Sequence, residues 1–345
     1  MTVKKTRRIF FVSSPDFPFF PGTGGTEAFT FGIIRELRRT GFDARIVTVD
    51  QSAADGRDQL PDIPFLDLPD QASLSGLDAT LVAVVDPFTV PTRMPGFVFA
   101  HVPPDSSAYS ADHYKKAAQA GHTIIANSEY SQRLWAEKLG LTARDVPVVY
   151  PFAHPAFAKV YRSPRPSGVA RILFAGRLHI HKGIFLLLEA LYHPQLQQGY
   201  SFTVTTARGH DRQGEEILRL IQAHPRIKLE KARTSPEEMA SLMAEHDIVV
   251  VPSNHLFWQE AFGMVSIEAQ HAGCRVVATD TGGLPETDVG GLSLFEPGNS
   301  LELANSIQRA SRAGKVSEQV RRRAAQQFTV AQSVDSLLAV INGRS

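Results

Sequence analysis

The feature that most constrains this chain is that its short strand candidates are apolar throughout instead of alternating with polar residues. In the first half they fall at 8–13, 44–49, 79–85, 97–101, 122–127 and 146–150. A strand with one wet face alternates; a run without alternation is covered on both faces, as in a parallel sheet flanked by crossover helices. Helical patterns at 26–40, 111–120 and 128–139 lie between these runs. Strand–helix repetition of this kind predicts a doubly wound α/β sheet.

The pattern then pauses. Residues 151–166 carry Pro151, Pro155, Pro164 and Pro166 with little periodicity, which reads as an interdomain linker. Alternation restarts with strands at 171–175, 201–205, 226–230, 247–251 and 275–278 and helices at 181–192, 212–223, 235–245 and 264–272. Two doubly wound domains are therefore expected in the 345 residues, and ligands of such sheets bind outside the carboxyl ends of the strands. Both sheets are expected to turn those ends into one cleft.

Composition removes several function classes. Formal net charge is +1, with 36 Lys and Arg against 35 Asp and Glu, so the basic excess of a nucleic-acid binder is missing. The cluster of Lys4, Lys5, Arg7 and Arg8, followed by Arg35, Arg38 and Arg39 on the first helix, reads as a solvated face, with contact to an acidic membrane as the minority reading. Cys274 is the single cysteine, which excludes an internal disulfide and a thiolate metal cluster. No apolar run reaches the roughly 18 residues of a membrane span, and a soluble, cytoplasmic protein is expected.

Four segments carry candidate chemistry. Gly22-Thr23-Gly24-Gly25-Thr26-Glu27 opens the first helix, but the loop before it is too long for a dinucleotide fingerprint. Glu27 also stands where that fingerprint has its third glycine, so a NAD-dependent oxidoreductase is disfavoured. What the glycines keep is close approach of a ligand to the backbone. Arg177 lies just past a strand end, with Lys182-Gly183 at the following helix; two cations beside helix N–H groups suit a diphosphate. Glu260 sits in a loop after the strand at 247–251, and Phe262, Gly263, Met264 and Val265 lead into a helix carrying Glu268. His101 ends a strand. The aromatic stretch at 17–20 reads either as core or as contact with an apolar acceptor or lipid.

Arg177, Lys182-Gly183 and the Glu260-x7-Glu268 spacing, in this order, resemble the retaining glycosyltransferases of family 4, which have the GT-B fold. Gly24-Gly25-Thr26-Glu27, the Ser128-Glu129-Tyr130 helix start, Pro252-Ser253 and Thr281-Gly282-Gly283-Leu284-Pro285-Glu286 extend the resemblance over essentially the whole chain. It implies an acceptor-binding domain over 1–152, a domain over 168–329 that binds a nucleotide sugar, and a last helix (330–345) returning to the first domain. It further implies transfer of a hexose from a UDP- or GDP-sugar, without cofactor or metal, by same-face displacement that retains the anomeric configuration. Arg177 and Lys182 would hold the diphosphate, Glu260 a sugar hydroxyl and Glu268 the ribose. Gly24, Gly25 and the N–H groups of Phe262 to Val265 would line the donor, and His101 would lie by the reacting carbon. The acceptor (saccharide, small molecule or lipid-linked) is not implied. Thr206-Ala207-Arg208-Gly209-His210 replaces the usual Gly-x-Gly, the loop at 231–233 lacks a glycine, and 254–259 is long; base and sugar identity stay open. A nucleotide-sugar epimerase of the same fold is the remaining alternative.

Overall fold

The computed structural model describes residues 7–13, 24–51, 56–85, 87–94, 96–104, 111–162, 168–206, 212–231, 233–254, 256 and 259–343. The chain forms two compact units, one from 1–151 with 330–345, the other from 152–329. The first contains β1 (Arg8–Ser13), β2 (Asp43–Val49), β3 (Phe65–Leu68), β4 (Thr80–Ala83), β5 (Gly96–Ala100) and β6 (Thr123–Ala126), in the order β3-β2-β1-β4-β5-β6. Every pairing is parallel, with Ile9 of β1 opposite Ala44 on one side and Thr80 on the other. From Ile9 to Ser13 β1 is buried without interruption, which is why it reads as an unbroken apolar run. Phe10 and Val12 pack with Val47, Leu81, Val98 and Trp135.

The second unit repeats the plan. Its strands are β7 (Ala170–Ala175), β8 (Tyr200–Thr205), β9 (Ile227–Leu229), β10 (Ile248–Val251), β11 (Arg275–Thr279) and β12 (Leu292–Phe295). They run β12-β11-β10-β7-β8-β9, again all parallel. Counted from its own first strand, each sheet has the order 3-2-1-4-5-6, the doubly wound arrangement in which the chain reverses direction of travel beside the first strand. Those switch points lie between β1 and β4 and between β7 and β10.

Helices α1 (Gly25–Arg39), α2 (Ala111–Gln119) and α3 (Glu129–Leu139) belong to the first unit. The Ser128 hydroxyl caps α3 by accepting from the Ser131 N–H at 3.0 Å, and Gly140, with φ 69°, ends it. Such a cap contributes about 1 kcal/mol. The second unit holds α4 (Pro155–Lys159), α5 (Ile184–Ala190), α6 (Arg212–Ala223), α7 (Pro236–Ala244), α8 (Met264–His271), α9 (Ser300–Arg312) and α10 (Glu318–Ala324). The last helix, α11 (Val330–Ile341), packs on α1 and is pinned by the Ser333 hydroxyl donating to the Tyr150 carbonyl at 2.7 Å.

Four expectations need correction. The strand expected at 146–150 is only an isolated bridge of Val148 to Ala126, since Pro147 and Pro151 lack the N–H groups that would extend a ladder. The helix expected at 181–192 is broken at Gly183, whose left-handed backbone (φ 71°) separates a tight turn, Ile180–Lys182, from α5. Strands β3 and β12 escaped the sequence reading because edge strands are only partly buried and show no continuous apolar run. The stretch 151–166 does not serve throughout as a linker: Pro155 takes the first helical position of α4, and Phe157 is buried beside Leu173, Met243 and Val249. Arg162 donates to the carbonyls of His246 (2.6 Å) and Ala272 (3.1 Å). The second unit accordingly begins at Phe152, not at 168.

Candidate functional site

In the second unit the candidate residues converge on the switch point between β7 and β10. β7 ends at Ala175, and Gly176-Arg177 follow. The side chain of Arg177 is exposed and makes no hydrogen bond or ion pair among the described residues, while its carbonyl accepts from the His179 N–H at 3.0 Å. The turn Ile180–Lys182 then carries Lys182 back toward the end of β10. Gly183 makes this possible, since a Cβ there would lie 1.6 Å from the Pro252 carbonyl oxygen. No side chain fits, and the left-handed backbone independently favours glycine.

The Lys182 ammonium is bonded to Oε1 of Glu260, and the same oxygen accepts the Ser253 hydroxyl at 3.0 Å. Burial alone would raise the Glu260 carboxyl, but the adjacent Lys182 and the Ser253 hydroxyl outweigh it and hold the group below its ordinary range. Glu260 is thus a fixed carboxylate at neutral pH. Its main chain is clamped as well: the Gly283 N–H donates to the Glu260 carbonyl at 2.8 Å, and a Cβ on Gly282 would lie 2.2 Å from that oxygen. His181 adds no charge here, because burial first and Lys182 second push its imidazole down to about 3.

Beyond Glu260, Ala261 and Phe262 are buried and Gly263 caps α8 with φ 103°. Because α8 begins at Met264, the N–H groups of Gly263, Met264 and Val265 have no acceptor inside the helix, leaving a positive helix end. Glu268, one turn further on, is half-buried, and its carboxyl has neither a hydrogen bond nor an ion pair among the described residues. Desolvation pushes it up to about 8, so it is mostly protonated at pH 7. A buried carboxyl without a protein partner fits a group that meets ligand hydroxyls.

The first unit offers a different environment. His101 follows β5, its ring stacked on Phe99 (centroids 5.3 Å apart) and edge-on to Phe29 (5.5 Å). Burial lowers its imidazole to about 4 despite a hydrogen bond to the backbone of Val84, and its Nε2 is buried without a partner among the described residues. The backbone around it is held by three side chains that sequence reasoning did not single out. Tyr114 donates to the Phe99 carbonyl (3.3 Å), Asn127 to that of His101 (3.2 Å) and Trp135 to that of Val102 (2.9 Å). Gly24 precedes α1 in extended conformation, and a Cβ there would meet the Glu27 carboxylate at 2.7 Å; Gly25 opens the helix. Gly22, Thr23, the aromatic stretch 17–20, Lys4, Lys5, 207–210, His255 and Trp258 lie outside the described residues.

Among the described residues no group of three His, Cys, Asp or Glu side chains is placed to hold a metal ion, and no helix is long and apolar enough to cross a membrane. Thus the structure brings Lys182, Ser253 and Glu260 into contact and sets Arg177 just past the end of β7. Of these, Ser253 carried no assigned role in the sequence; its signal is its place at the end of β10, seven residues before Glu260.

Residues 169–312 match the family described as Glycosyl transferases group 1. The lipopolysaccharide 1,2-N-acetylglucosaminetransferase of Salmonella typhimurium is 33% identical over 149 residues, which is 40% of this chain and 38% of that protein. The chain therefore spans well under half the length of this curated relative. Among solved structures, a glycosyltransferase from Rickettsia africae superimposes with a TM-score of 0.78 at 17% identity, over 99% of each chain. Anabaena Alr3699/HepE in complex with UDP and glucose gives 0.73 at 21% identity, over 98% of this chain and all of that one. The fold is GT-B.

Proposed function

We propose that the chain, whose residues 169–312 form a glycosyl transferases group 1 domain, transfers a hexose from a nucleotide-diphosphate sugar to an acceptor. The observation that carries this reading is the switch point between β7 and β10, where the Lys182 ammonium meets a carboxylate also held by Ser253, with Arg177 just past the end of β7 and the start of α8 shortly after Glu260 in the chain. A diphosphate needs concentrated positive charge with directed donors, and a sugar beside it needs an acceptor for its hydroxyls; both are supplied within one loop cluster. Anabaena Alr3699/HepE was solved with UDP and with UDP-glucose, which makes UDP-sugars the first donors to test.

In this account Arg177 and Lys182 bind the diphosphate and stabilise the negative charge that grows on it as the glycosidic C–O bond breaks. The two cations take the part that a metal plays in other transferases, so turnover is expected to survive a chelator. Glu268 takes the ribose hydroxyls and Glu260 a hydroxyl of the transferred sugar. With both carboxyls so engaged, neither serves as nucleophile, and attack on the face of the leaving group, with the departing phosphate accepting the acceptor's proton, retains the anomeric configuration. His101 is neutral at pH 7 and presents the bare Nε2, which suits an acceptor for a sugar hydroxyl or a shield for positive charge at the reacting carbon.

The test is a panel of UDP-glucose, UDP-N-acetylglucosamine, GDP-mannose and ADP-glucose, each incubated with the protein and simple saccharide acceptors, with and without EDTA. One donor is expected to release its nucleoside diphosphate in both conditions, and an α-linked donor to give an α-linked product by NMR. If no donor is consumed, and none raises the melting temperature, the reading fails.

A further inference from the structure

Glu260 depends on one oxygen. Its Oε1 carries both the Lys182 ion pair and the Ser253 hydrogen bond, and Oε2 has no hydrogen bond among the described residues. Under the proposed function Lys182 must turn its ammonium to the donor diphosphate, which removes the ion pair from a buried carboxylate at the moment the sugar arrives. A buried carboxylate stripped of its partners either neutralises or moves. The remaining side-chain donor to it among the described residues is the Ser253 hydroxyl.

Ser253 is built to stay in place. It is 2% exposed and follows Pro252, whose carbonyl is boxed in by Gly183. The next residue, Asn254, donates its N–H to the His181 carbonyl at 2.8 Å. The hydroxyl is therefore fixed by rigid main chain, whereas Lys182 reaches Glu260 on a flexible stem. We propose that Ser253 is the positioning residue for Glu260: it retains Oε1 when Lys182 transfers its charge to the diphosphate, and so keeps Oε2 aimed at the donor sugar. This inference rests on the donor site proposed above.

The experiment compares Ser253→Ala, Ser253→Thr and Ser253→Cys with wild type, using whichever donor of the panel the wild type consumes and the nucleoside diphosphate it releases. Ser253→Ala is expected to lower kcat/KM for the donor roughly tenfold to a hundredfold, the usual effect of losing a hydrogen bond to a charged group. Inhibition by the nucleoside diphosphate alone, which lacks the sugar, is expected to stay within about twofold, because the cations are untouched. Without its hydroxyl donor Glu260 titrates at higher pH, so the acid limb of the kcat/KM profile moves upward in Ser253→Ala and returns in Ser253→Thr. The thiol of Ser253→Cys is a weaker donor and falls between; should the alanine variant not fold, equal activity of the threonine and cysteine variants overturns the inference. Wild-type kcat/KM and an unmoved acid limb in a folded Ser253→Ala overturn it too, so long as Lys182→Ala and Glu260→Gln are impaired. If those two also keep full turnover, or if no donor is consumed, the donor-site reading is at fault and the inference falls with it.

Discussion

The two sheets share one strand order, yet the strand ends that carry candidate residues are chemically unlike. Beside β7 and β10 stand Arg177, Lys182, a carboxylate held by two donors and a helix end with open N–H groups. At the end of β5 in the other unit stands a histidine kept neutral by burial between Phe29 and Phe99. Topology provides the same set of parallel strand ends twice, and the side chains there decide what each can bind. Under the proposed function one mouth attracts and fixes an anion. The other holds an uncharged, buried ring nitrogen beside an apolar wall, with no charge to pull on phosphate. The comparison predicts that charge removal in the second unit and ring removal in the first fail in different ways.

The largest effect is expected in the charged mouth. Arg177→Ala and Lys182→Ala should each reduce donor turnover by about a hundredfold to a thousandfold, as removal of a charge-stabilising donor does, and both should weaken nucleoside diphosphate binding. Steady-state kinetics with a titration of the nucleoside diphosphate read both quantities. Normal turnover in either variant would erase the distinction between the two mouths.

His101→Ala comes next and should separate the functions. Turnover is expected to fall by more than about tenfold while nucleoside diphosphate affinity stays near that of wild type. Because the imidazole titrates at about 4, no limb of the wild-type pH–rate profile between pH 5 and 8 should belong to it. A limb near 6.5 that vanishes in His101→Ala would mean a solvated, titrating histidine instead.

The smallest effect concerns Glu268. Ligand hydroxyls donate best to the ionised carboxylate, so binding favours the form that burial suppresses. With the group at about 8, donor affinity should rise with pH up to about 8 and level off above, by at most about tenfold per pH unit. Calorimetry in two buffers of different ionisation enthalpy should detect proton release on binding at pH 7. Glu268→Gln should abolish both; an unchanged pH dependence in that variant would detach Glu268 from the ligand.

Much of this was legible before any coordinates. The continuous apolar runs at 8–13 and 171–175 announced central parallel strands because those strands are buried on both faces. Arg177, Lys182, Gly263 and Glu268 stood out because they sit where strands end and helices begin. What escaped was set by contacts between distant segments. Nothing local marks Phe65–Leu68 as a strand, since its edge position leaves it half-exposed and Asp67 interrupts the apolar run, paired instead with Arg57. Ser253 reads as an ordinary loop serine until β10 and the Glu260 loop are brought together, and Tyr114 and Trp135 read as core until their polar atoms are seen to fasten the backbone on either side of His101. The proline-rich stretch misled because Pro155 starts a helix as readily as it marks a linker.

The central claim is that the mouth between β7 and β10 holds the diphosphate of a nucleotide. Calorimetric titration with UDP, GDP and ADP, each against its parent nucleoside, tests it most directly when repeated on Arg177→Ala. One diphosphate is expected to bind at least about a hundredfold more tightly than its nucleoside, the contribution of charge-assisted contacts to phosphate, and that gap should shrink by at least tenfold in Arg177→Ala. Equal binding of nucleoside and diphosphate, or a gap that Arg177→Ala leaves intact, would contradict the account.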